Sequence, residues 1–245
     1  MSIQPGTPTA TTPRQLEKGF ERLLSVQRPV VLMHIRSIRR RHPQASPARV
    51  IQILERRYLA AVTTSGAAVG ASAVVPGVGA GIALALTGVE TAVFLESSAL
   101  FAQSITEVHG RPADNPERAR ALVMAMLLGT TGADLVKQLA AQAVGSGPTR
   151  ERFWGELVTK SLPQAALGQI GGRIRKAFVR KFVAMSGAST LGRAVPFGIG
   201  AVIGGTGNHI IGRRFVAASH DAFGPAPEQL SAGIETLVVL PREVS

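Results

Sequence analysis

The glycines come first, because Gly77-Val78-Gly79-Ala80-Gly81 has the look of a phosphate-cradling loop. Cradling phosphate takes a strand, a GxGxxG turn and a helix N-terminus together. This run is GxGxG, the residues before it read as helix, and no GxxxxGK[ST] occurs anywhere. Metal chemistry would need clustered ligands, yet His34, His42, His109, His209 and His220 form no HExxH or similar pair. His209 and His220 lie three helical turns apart, about 16 Å, too far to share an ion. They read as solvated or core-capping histidines. The absence of cysteine removes thiolate ligands and disulfides, and suits a reducing cytoplasm.

Acid–base chemistry would fall to Glu90 and Glu96, the carboxylates set in apolar surroundings. Six residues on a helix leave them about 120° apart, so they are not a natural pair. Glu90 fits better in a structural contact with Arg193 or His209. Asn208-His209 interrupts the uncharged stretch Ala194 to Gly212, and such polar residues commonly hydrogen-bond a neighbouring helix. Ser72, Ser97, Ser104 and Ser186 lack a GxSxG setting. No catalytic, metal or cofactor site is assigned, and a hydrolase stays only as a third class.

Charge is the stronger lead. The net charge is +12, which favours an anionic partner. Residues 1–57 carry 11 Lys/Arg against 3 Asp/Glu, and residues 166–220 carry 8 against none. The basic residues thus form two blocks, each beside an uncharged Gly-rich stretch. Arg36, Arg39, Arg40 and Arg41 precede the first stretch, and Arg56 and Arg57 stand at its base. Arg173, Arg175, Lys176, Arg180 and Lys181 interleave with Ile174, Phe178, Val179 and Phe182, the pattern of a basic amphipathic helix. Such a helix can lie on an anionic membrane, and an ordinary solvated face explains the pattern equally well. No recognition-helix context appears, so nucleic acid is the weaker partner.

These residues must be positioned by helices, since no useful period-two alternation appears. The Thr/Pro-rich start, residues 1–13, has no apolar core of a secretory signal and reads as a disordered tail. A helix is predicted over Arg14–Val26, and a second runs from Pro29 to His42-Pro43. Ser46-Pro47 opens a third, with Ser as N-cap and Pro at N1. No charged residue occurs from Tyr58 to Val89. Pro76, Gly77, Gly79 and Gly81 must break that stretch into a hairpin, because a mid-helix proline costs about 3 kcal/mol. Gly66 and Gly70 on the first arm can seat another helix. The second arm, about Ile82–Val108, carries polar stripes at Glu90, Ser97 and Ser104 and at Glu96, Gln103 and Glu107, so one side should meet water or a polar partner. Asp114-Asn115-Pro116-Glu117 opens a helix reaching about Ala143, and Gly145-Ser146-Gly147-Pro148 is a linker. Helices follow at about Thr149–Leu162, Gln164–Met185 and Leu191–Ala218, and residues 224–245 form an irregular arm. The expectation is an all-α bundle of about seven to eight helices around a Gly/Ala-rich hairpin, with residues 14–223 as one domain.

Three landmarks in order resemble the EcsC family, bacterial proteins named for one encoded beside an ABC transporter. They are the hairpin turn Val75–Gly81, the segment Thr106-Glu107-Val108-His109-Gly110 followed by Asn115-Pro116-Glu117-Arg118, and the Gly-rich late helix Pro196–Gly212. His109 stands where the family tends to have an aromatic residue before glycine. The resemblance implies an all-helical fold and a loose link to membrane transport or secretion, with no established reaction.

The functional expectation is a non-enzymatic protein docking peripherally on an anionic phospholipid surface or a membrane protein, at the inner face of the cell membrane. A soluble bundle acting as a protein-interaction or small apolar-ligand module is the alternative, and a homo-oligomer is compatible with either. Each hairpin arm is shorter, before its first charge, than the roughly 20 apolar residues of a full span. The hairpin is therefore expected mostly inside the protein, with shallow re-entry into lipid as the minority view.

Overall fold

The computed structural model describes residues 19, 22–72, 80–113, 115–144, 153–191 and 199–235, and these are helical without strands. Pro29 and Pro47 open α1 (Arg28–Arg41) and α2 (Pro47–Ser72), and Ser46 Oγ accepts from Arg49 N at 3.3 Å. The second hairpin arm is α3 (Ala80–Val108). Pro76, Gly77 and Gly79 lie outside the described residues, as do residues 1–13, Arg193, the 145–148 linker and residues 236–245. Gly81 falls in the first turn of α3.

The helix expected from Pro116 to Ala143 is two helices, α4 (Pro116–Leu128) and α5 (Thr130–Val144). Asn115 caps α4, its Oδ1 accepting from Arg118 N at 2.9 Å. Gly129 ends it with φ 65° and ψ −133°, a conformation closed to side chains with a Cβ. A Cβ at Gly132 would then collide with the backbone of Ala125, so two glycines permit the fold-back. After α6 (Trp154–Glu156) the chain widens into a π-helical segment, Leu157–Ser161. It is followed by α7 (Gln164–Leu191), α8 (Ile199–Phe223) and the short α9 (Ala232–Glu235).

The π segment has a specific partner. Arg118 is buried, and its guanidinium donates to Val158 O at 2.9 Å and Leu162 O at 2.6 Å. A cation at a helix C-terminus satisfies carbonyls that have no intrahelical donor. Arg118 thereby fastens the start of α4 to the end of the π segment.

The most extensive pairing is α2 against α8, followed by α2 against α3. Small residues cause it. A Cβ at Gly66 would lie 2.6 Å from Gly204 O, and one at Gly205 would lie 3.2 Å from Ala67 Cβ. The Gly66, Gly70 and Gly204 pattern thus marks a real crossing, between the first hairpin arm and the late Gly-rich helix.

The polar stripes of α3 depart from expectation. Glu96 is exposed and Ser97 half-buried, but Gln103, Ser104 and Glu107 are buried, because the last two turns of α3 run through the centre of the bundle. Ser104 Oγ donates back to Leu100 O at 2.7 Å, satisfying its hydroxyl inside its own helix. Glu107 is met by Arg28, with Nε–Oε1 at 2.5 Å and Nη2–Oε2 at 3.2 Å. An arginine at a helix start opposes the dipole, so α1 begins with Arg28 only because Glu107 is there to receive it. The Glu107 side chain is 6% exposed and that of Arg28 60%. Arg28→Ala should therefore cost about 1–2 kcal/mol, below the range for a fully buried pair, read as a shift in the urea midpoint.

Candidate functional site

Three of the chain's few aromatic residues meet at one level of the bundle. Tyr58 stacks on Phe101 with centroids 4.9 Å apart, and Phe215 lies 5.5 Å from Tyr58. Ser98 Oγ donates to Phe94 O at 2.7 Å, so the Tyr58 hydroxyl at 3.0 Å is the donor to Ser98. Burial pushes the Tyr58 phenol far above its ordinary range. Among the described residues the large buried apolar side chains end here: Val62 is the last on α2, Leu95 the first on α3 and Phe215 the first on α8.

A ring of arginines surrounds this level. The antiparallel α2–α8 register sets Gly66 beside Gly204, Val62 beside Asn208 and Leu59 beside Gly212. Continued by one turn, it brings Arg213 and Arg214 level with Arg56 and Arg57. Arg56, Arg213 and Arg214 are exposed. The last turn of α1 joins them, since Arg57 Nη1 donates to Ser37 Oγ at 2.8 Å. Burial, and then the charge of Arg41, hold the Arg57 guanidinium below its usual value, and His34 is pushed down by burial and by Arg57. Arg40 and Arg41 are exposed at the same end of α1. The belt is thus Arg40, Arg41, Arg56, Arg57, Arg213 and Arg214. Arg36 is exposed one turn back, and Arg39 is tied to the backbone through Ala45 O at 3.0 Å.

Above the belt α2 and α8 carry no charge among the described residues, and α3 carries the exposed Glu96 close to the belt and then the half-buried Glu90. Asn208 Nδ2 donates to Val62 O and to Glu90 Oε1, both at 3.1 Å. Its one amide therefore joins α2, α3 and α8. His209 Nδ1 lies 3.1 Å from Thr63 Oγ1. Glu90, Asn208 and His209 are half-buried, and Glu90 accepts from Asn208; Arg193, one of its two expected partners, lies outside the described residues.

The second basic block stands elsewhere. On α7, Arg173, Lys176, Arg180 and Lys181 are exposed and Arg175 is half-buried. Ile174 and Phe178, the apolar side of the expected membrane-lying helix, are buried where α7 packs on α4 and α5. That face is used by the fold itself. Among the described residues, the fully exposed part of this basic block is Arg173, Lys176, Arg180 and Lys181, with Val179 half-buried beside them.

A cleft of about 260 Å³ opens at the other end of the α2–α3–α8 cluster, lined among others by Gln52, Glu55, His109, Ser219 and His220. His220 Nε2 sits 2.8 Å from Glu55 Oε1. Ser219 Oγ is spent on Val216 O at 2.7 Å, which leaves the pair without an aligned hydroxyl nucleophile there. His109 Nδ1 faces Ile105 O at 2.9 Å and must carry the proton, since a carbonyl only accepts. Burial lowers its pKa, the Ile105 and Pro225 carbonyls oppose this, and Arg111 and His220 add to the lowering. The folded chain thus holds His109 neutral while the unfolded chain protonates it near pH 6.5. That contribution is complete above about pH 6.5 and fades as pH falls through the lower folded value. His109→Leu should flatten the acid limb of a melting-temperature profile; an unchanged slope would assign the loss to other groups.

Among the described residues no group of three or more His, Cys, Asp or Glu is placed to hold a metal ion. No described helix is long and apolar enough to cross a membrane. No family model, curated protein or solved structure gives a significant match to the chain.

Proposed function

We propose that this chain docks peripherally on an anionic phospholipid surface and that the arginine belt is its contact. The observation that carries this reading is the belt's placement: six arginines from three helices gather where the buried core ends and a charge-free helical end begins. An ordinary solvated face scatters its charges and mixes their signs, whereas a phosphate-bearing surface rewards a level ring of guanidiniums at about 1 kcal/mol each. The resemblance to the EcsC family, retained as part of this proposal, adds a role accessory to transport or secretion at the inner face of the cell membrane. The test is co-sedimentation at low salt with vesicles of phosphatidylglycerol and phosphatidylcholine, against phosphatidylcholine alone. Preferential pelleting with the anionic vesicles is expected. Equal pelleting, or none, contradicts the reading.

The cleft at Glu55, His109 and His220 favours a second reading, a small-ligand-binding module. Its mixture of apolar wall and a carboxylate–imidazole pair suits a small ligand with a hydrogen-bonding head.

A further inference from the structure

Resting on the docking reading above, we propose that the charge-free end of the α2–α3–α8 cluster enters one leaflet of that anionic bilayer and is stopped by the arginine belt. Four features of the structure lead to it. First, the described side chains exposed beyond the Val62–Asn208–Glu90 level bear no charge: Thr64, Ala68 and Ala71 on α2, Val89 on α3 and Thr206 on α8. Val89 is 59% exposed and Ile210, between the belt and that level, 46%, an unfavourable placement in water for large apolar groups.

Second, the half-buried polar groups between the three helices are bonded internally, as hydrocarbon surroundings require, which leaves the exposed Thr64 and Thr206 hydroxyls to face outward. Ser65 Oγ donates to Val62 O at 3.1 Å, Thr63 pairs with His209, and Asn208 holds Glu90. Third, α2 and α8 cross through glycine, the close backbone approach that helices also use in lipid.

Fourth, the lengths match. From the Val62–Asn208–Glu90 level to Ser72 the α2 axis rises about 15 Å, the hydrocarbon depth of one leaflet. From Arg57 to Val62 it rises about 7.5 Å, the depth of a headgroup layer. Glu90 and its amide then lie at the polar boundary and the guanidiniums among the phosphates. No described helix is long and apolar enough to cross both leaflets.

The chain has no cysteine, so a single probe can be placed. Ala68→Cys and, separately, Thr206→Cys, both beyond the Val62–Asn208–Glu90 level, are labelled with the environment-sensitive dye NBD, with Gln169→Cys on exposed α7 as reference. Each is mixed with phosphatidylglycerol–phosphatidylcholine vesicles while sedimentation records binding. The expected result is a severalfold rise in emission at both positions, on α2 and on α8, quenched by lipids carrying a spin label in the acyl chain, with no change at Gln169→Cys. Bound protein should also resist release by a salt wash. Normal binding with dark, unquenched probes at positions 68 and 206 overturns insertion and leaves docking intact. Failure of all variants and the unmodified chain to bind overturns both. Bright probes without vesicles, with doubled mass in light scattering, would make this face a contact between copies and overturn insertion as well.

Discussion

Replacing Gly204 with valine should lower the unfolding free energy by about 3 kcal/mol or more, the upper range for overpacking. The reason is what a side chain would meet. Gly66 and Gly204 face each other across the α2–α8 crossing, and a Cβ on either strikes the other's backbone carbonyl or the Asn208 amide. A flexible side chain could turn aside, but a helix carbonyl cannot move without its helix. Separating α2 from α8 would also pull Asn208 from Val62 O and Glu90 and loosen Tyr58 from Phe215. Gly66→Val should behave alike, since the contact is reciprocal. Gly168→Ala on α7 is the control: a Cβ there meets nothing, so the change should stabilise by about 0.5–1 kcal/mol. Urea titration of the buried Trp154 fluorescence measures all three. A Gly204→Val midpoint equal to the parent's would mean that the crossing is not close.

Neutralising Arg56, Arg213 and Arg214 together with glutamine should weaken partition into anionic vesicles roughly a hundredfold. Each arginine near a charged surface contributes about 1 kcal/mol, and three such losses come to about two powers of ten. Glutamine keeps much of the stem and removes the charge. These three side chains are exposed, so the fold should survive. Arg57 is left in place because it bonds Ser37, and Arg39 because it bonds the Ala45 carbonyl. An unchanged melting temperature with weakened partition separates a surface contact from a folding defect.

Much of the fold was legible because local chemistry decides it. Ser46-Pro47 and Asn115-Pro116 open helices wherever they stand, and the glycine spacing of α2 announced a close crossing. The break at Gly129 was missed because the apolar pattern continues through it; only Gly129-Thr130-Thr131-Gly132 hinted at a fold-back. The burial of the α3 stripe was missed for a different reason. The stripe was expected to meet water or a polar partner, and that Glu107 meets a partner inside the bundle was not legible because Arg28 lies 79 residues away. The α7 block looked membrane-ready because an apolar stripe reads the same whether a protein core or a lipid covers it.

The site was half legible. Arg40, Arg41, Arg56 and Arg57 stood out, and so did Glu90 and Asn208. Arg213 and Arg214 were counted in the second block and never assigned to the site, because only the glycine-set register of α2 on α8 brings them beside Arg56. Their signal was present in retrospect: both basic pairs end a charge-free run, one at Tyr58 and the other at Gly212.

The most direct test of the docking face compares two triple variants on the same phosphatidylglycerol–phosphatidylcholine vesicles. One carries glutamine at Arg56, Arg213 and Arg214, the other at Arg173, Lys176 and Arg180 on α7. Both lose the same net charge, so any difference in partition reports position alone. The belt variant should lose roughly a hundredfold and the α7 variant less than about tenfold. Equal losses, or a greater loss from α7, would contradict the belt as the membrane contact.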